Sequence, residues 1–93
     1  MQNFTIDKYK LLEALNFKNN LAVIQISRFT LRVYDQTLEI ESWKAIPETE
    51  FEIDLETLLL MVRKARAEPN GKISIQKDDN VLTIDRISTV ISY

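Results

Sequence analysis

Five carboxylates fall at every second position of one short stretch: Glu48, Glu50, Glu52, Asp54 and Glu56. In an extended strand that spacing lays the first four along one face, about 7 Å apart. Two chemistries use such a row, oxygen coordination of calcium and docking of a basic partner. Calcium needs ligands that converge around a turn, usually at a glycine, and a straight strand keeps them apart. Inline charge also shields an exposed strand edge from unwanted pairing. The row is therefore expected to be a solvent face, with Glu48, Glu50 and Glu52 as candidate protein-contact residues. Asp78, Asp79 and Asn80 form a second acidic cluster between two apolar runs, where such side chains bend hairpins by bonding to nearby backbone.

Other catalytic chemistry is thinly supplied. The 93 residues include no His, no Cys and one Gly. That removes imidazole as a base or ligand, thiolate as a nucleophile or soft ligand, and a glycine-rich phosphate loop. Nucleophilic serine would have only lysine as its base, and nothing singles out one carboxylate pair among 14 acids for glycosidase-type work. No enzyme activity, cofactor, metal or small-molecule substrate is expected.

The cations are more suggestive. Lys8, Lys10 and Lys18 lie on or just after one amphipathic segment, and Arg63, Lys64 and Arg66 near the end of another. Packed side by side, two such helices would show a local basic patch on a chain of net charge -2 and pI about 5.1. Basic residues at a helix end also compensate its dipole. Two hydrophobes look out of place. Leu60 sits opposite the apolar stripe of the second helix, and Trp43 shares its strand face with Glu39 and Glu41. Both are candidate protein-interface residues.

The elements that must position these groups follow from periodicity. Thr5 and Asp7 are candidate caps for a short helix through DKYKLLEALNF, with Leu11, Leu12 and Leu15 on its buried face and a stop at Asn16 and Asn19–Asn20. From Leu21 the period becomes two. LAVIQIS, FTLRVYD and TLEIESW read as a three-stranded meander, with Phe29, Leu31 and Val33 inward in the second strand and a tight turn at Asp35–Gln36. After Pro47, TEFEID is a fourth strand. Asp54 caps a helix through DLETLLLMVRKARAEP, with Leu55, Leu58, Leu59, Val62 and Ala65 buried, ended by Pro69–Asn70–Gly71. KISIQ and VLTID form a hairpin, and ISTVISY is a closing strand. No short unit repeats. One α+β domain spanning residues 1–93 is expected, with two helices packed on one face of a mainly antiparallel sheet. A composition 45% hydrophobic and 28% charged suits a folded domain rather than a disordered tail.

The stretch FEIDLETLLLMVRKARAEPNGKISIQKDDNVLTID resembles a recurring element of DNA sliding clamps: a strand, an Asp-Leu helix start, a basic helix end, then a hairpin with an acidic turn before an LTI-like strand. The upstream order KLLEAL, LAVIQIS, RFTLRVYD and TLEIESW is similar too, so the likeness spans about residues 8 to 93, one clamp subdomain. It implies a clamp-like fold whose helices present Lys10, Arg63, Lys64 and Arg66 to DNA phosphates while the outer surface is acidic. Working clamps link two or three subdomains, so a single one would need about six copies and head-to-tail interfaces to close a ring. The expected function is a binding module acting through protein contacts, self-associating or regulatory, and the alternative is a DNA-associated protein that touches the backbone without reading sequence. No stretch approaches the roughly 20 apolar residues of a membrane span, the polar N-terminal residues are no secretory signal, and the lack of Cys fits a reducing compartment. A cytoplasmic location without membrane contact is the corresponding expectation.

Overall fold

Strict alternation of buried and exposed positions runs through nearly every extended segment, so each strand turns one face to a common core. The computed structural model describes residues Met1–Tyr93. Its elements are β1 (Gln2–Asp7), α1 (Lys8–Ala14), β2 (Leu21–Arg28), β3 (Thr30–Val33), β4 (Gln36–Glu41), β5 (Ile46–Asp54), α2 (Leu55–Lys64), β6 (Lys72–Asp78), β7 (Val81–Ile84) and β8 (Ile87–Val90). The strands form one eight-stranded sheet in the order β5-β2-β3-β4-β1-β6-β7-β8, with every named pairing antiparallel. The fold is α+β. Helices α1 and α2 touch one another, and both bury apolar residues in a single cluster of 24 with the inward faces of the strands.

The chain is built twice from one unit. Phe4-Thr5-Ile6-Asp7 leads into α1 as Phe51-Glu52-Ile53-Asp54 leads into α2. In each case the aspartate caps the helix, Asp7 accepting from the amides of Tyr9 and Lys10 and Asp54 from that of Thr57. Each helix is followed by a three-stranded meander, and the two meanders turn alike. Arg28 and Asp79, each with φ 56, occupy the first hairpin turn; Tyr34 (φ 59) and Asp85 (φ 57) occupy the second. The first helix amide bonds across to the other half, Lys8 to the carbonyl of Gly71 and Leu55 to that of Asn20. A small cavity of about 20 Å³ is lined by four equivalent pairs: Phe4 and Phe51, Leu11 and Leu58, Ile24 and Ile75, Leu31 and Leu82.

The two units also exchange strands. β1 pairs along its whole length with β6, and β5 with β2. Within each unit the closing contact is slight: β1 meets β4 only at Thr5–Glu41 and Ile6–Ile40, and β5 meets the residues after β8 only at Glu52–Ser92.

Several expectations are corrected. The N-terminal segment holds a strand before its helix, because Phe4 and Ile6 alternate into the core. The second hairpin turn falls at Tyr34–Asp35, since β4 begins at Gln36. Phe29 is half-exposed in a turn. Leu12 and Leu59 are only partly buried. α2 ends at Lys64, where Ala65 turns to extended backbone with ψ 135 and the Lys8 ammonium takes the freed carbonyls of Arg63 (3.1 Å) and Ala65 (2.9 Å).

The cap hydrogen bonds from the Thr57 amide and hydroxyl hold the Asp54 carboxyl below its ordinary pKa. The stabilisation is thus present above the ordinary carboxylate range and fades as pH falls through the lowered value. Asp54→Ala is expected to lower the urea midpoint at pH 7, with the gap from wild type narrowing below about pH 4. A gap independent of pH would show that the ionised cap contributes nothing.

Candidate interaction surfaces

β5 is one end strand of the sheet, and its outward positions carry Glu48, Glu50 and Glu52, all exposed. Only Glu50 has a side-chain partner, the Gln25 amide at 3.3 Å. Asp54 is drawn off into the α2 cap. The carboxylates thus stand in line along an edge and do not converge, and no group of three or more acidic side chains is placed to hold a metal ion. Asp78 closes β6, while Asp79 takes the left-handed turn conformation.

The basic candidates gather unevenly. Arg63, Lys64 and Arg66 are exposed around the end of α2, and the bonds from Lys8 tie the start of α1 to the same place. Arg63 lines a groove between the helices with Glu13, Leu12, Phe17 and Leu59. Lys10 is exposed too, but it borders a different depression beside Thr37, Glu39 and Lys72 of the sheet. The one ion pair of the protein joins Lys72 to Glu41.

Leu60 is half-exposed on α2, and Trp43 is fully exposed. Trp43 does not lie on a strand face, because β4 ends at Glu41 and the Ser42 hydroxyl bonds the carbonyls of Asn3 and Lys44 to form a loop. Sequence reasoning passed over the spacing Ser74-Ile75-Gln76-Lys77, a Ser-x-x-Lys pattern. On β6 it places Ser74 outward and Lys77 inward, so the two side chains cannot meet. Lys77 is the single buried charged residue. Its ammonium bonds the carbonyl of Asp79 and lies 4.8 Å from the centre of the Tyr93 ring.

The edge that sequence reasoning missed is β8. It is the other end strand. Ser92 exchanges both backbone hydrogen bonds with Glu52 (2.6 and 3.0 Å), whereas the amide of Ile91 turns the opposite way, to Asn80. By strand alternation the main-chain groups of Val90 and Ser88 point the same way as those of Ser92, off the sheet. There β5 has already turned into α2 at Asp54, so those groups face solvent. The strand Ile-Ser-Thr-Val carries no charge and no proline, and Val90 is 69% exposed.

No protein-family model, curated protein or solved structure matches the chain.

A side chain with no packing has little stability to lose. Trp43→Ala is expected to change unfolding free energy by less than about 0.5 kcal/mol, whereas Leu58→Ala in the central cluster should cost about 2–5 kcal/mol. Urea titration followed by circular dichroism measures both, and a large loss at Trp43 would mean the indole packs against its own chain.

Proposed function

We propose that this chain is a non-enzymatic binding module that works through protein–protein contact, its self-association or regulatory pairing made by adding a partner strand to the open edge of β8. The observation that carries this reading is the contrast among exposed edges. An uncovered strand is a template for pairing unless charge, proline or a bulge blunts it. β5 is blunted by its glutamates, and the open part of β4 is bordered by Glu39, Lys10 and Lys72. β8, four residues long, carries neither charge nor proline. Its free N–H and C=O groups would supply affinity in the manner of strand addition, with neighbouring side chains setting selectivity.

Val90→Pro tests this directly. The residue donates nothing to β7, so an edge proline is compatible with the fold while removing a donor that a partner needs. Light scattering over a concentration series is expected to show self-association in the wild type and its loss in the variant, with thermal unfolding little changed. Association that survives Val90→Pro would place the contact elsewhere.

A second reading, a clamp-like protein associated with DNA, is favoured by the charge distribution. Lys10, Arg63 and Lys64 are exposed on the helices and Arg66 just after α2, beside the exposed Glu13 and Glu56, while Glu39, Glu41, Glu48, Glu50 and Glu52 are exposed on the strands with Arg32 among them. It expects binding to double-stranded DNA that weakens steeply with salt and is lost in the Arg63→Glu, Lys64→Glu double variant. Fluorescence anisotropy at two salt concentrations checks it, and no binding at low salt would end it.

A further inference from the structure

We infer that the occupant of the β8 edge is a second copy of this chain, paired β8 to β8 about a two-fold axis. The inference rests on the strand-addition reading and names its partner. The internal repeat allows a controlled comparison, because β4 and β8 are equivalent strands in equivalent surroundings. Beside β4 stand Lys10, Lys72 and Glu39. The equivalent positions around β8 are Thr57, Leu21 and Val90. Lys10, Lys72 and Glu39 at the first edge are thus replaced by neutral residues at the second, while Asp7 of the first edge keeps its charge as Asp54, whose carboxylate is held in the α2 cap; Leu21 and Val90 are half or more exposed. Of the two equivalent edges, only that of β8 presents a strand without charged side chains, so only it can face its own copy without setting like charges of the paired strands together.

The register follows from which groups are free. With Thr89 opposite Thr89 of the other copy, the N–H and C=O of Ser88 meet those of Val90 across the axis, and the reverse, so every open main-chain group of β8 gains a partner. Ser88 and Val90 both lie on the outer face, and the outer face of one sheet continues into that of the other. The Ser88 hydroxyl, 2.7 Å from that of Thr83, borders this line. A pairing of β8 with β4 would instead set Val90 and Ser88 against Glu39 and its flanking cations, and would build open chains or rings in place of a closed pair.

The two Ser88 positions lie diagonally across the axis, within reach of long side chains. Sedimentation velocity on the full chain is expected to show a monomer–dimer equilibrium. Ser88→Lys and Ser88→Glu should each weaken dimerisation roughly tenfold, and an equimolar mixture should restore it as a heterodimer. That rescue also shows that both variants fold. A mixture no better than the separate variants, Ser88→Lys associating more strongly than wild type, or species larger than a dimer would overturn the inference. A monomeric wild type that still binds a synthetic peptide of residues 86–92 would overturn self-pairing and leave strand addition standing. Binding neither would end both.

Discussion

The structure depends on an exchange of first strands. Each unit gives its leading strand to the hairpin of the other, β1 to β6 and β5 to β2. Those two ladders hold the halves together and are long-range in sequence, so neither meander is completed by its own neighbours. The strand that leads into each helix is thereby fixed against the opposite half, and the aspartate at its end starts the helix over the shared core. Removing either ladder would leave a meander with an uncovered edge and a helix with no floor beneath it.

Repetition is kept where packing demands it and dropped where it does not. The lining of the central cavity is conserved between halves down to Phe4 and Phe51 or Leu31 and Leu82, because a close-packed interior admits few substitutions without loss. The departures lie around it. Lys8 stands where the other half has Leu55 and closes the end of α2. Lys77 stands where the first half buries Ile26, and its charge is met by a carbonyl and an aromatic face. Val90 stands where the first half has Glu39. The first two departures have partners inside the molecule, and the third has none.

Much of the fold was legible in the sequence because it is written locally. Alternation marked β2, β3, β5 and β7, and the Asp54 cap with its apolar stripe marked α2. β1 was overlooked because its two core residues, Phe4 and Ile6, sit directly before a capping aspartate and a helical pattern absorbs them. The matched Phe-x-Ile-Asp motifs carried the missing signal, since one already preceded a helix. Trp43 was assigned to a strand by extending the parity of β4, but Ser42 bends the chain just before it. The acidic row was read correctly as an exposed face because parity alone decides that. The openness of β8 could not be read in the same way. Whether a strand has a neighbour depends on where distant strands end, here on β5 turning into its helix at Asp54.

Several cations of the basic surface already serve the fold, whereas the open main chain of β8 does not. Arg63 and Lys64 lie in the last turn of α2, where positive charge offsets the helix dipole, and Lys8 is spent on the carbonyls beyond it. Lys72 is held by Glu41. A cationic surface is therefore partly what the helix end itself requires, and its presence discriminates weakly between a ligand and no ligand. The main-chain groups of Ser88 and Val90 serve nothing inside the molecule. Water can satisfy them, but an uncharged edge with an exposed valine is what selection against promiscuous pairing ordinarily removes. Its presence beside a blunted counterpart on the same chain is the asymmetry on which the proposed contact rests.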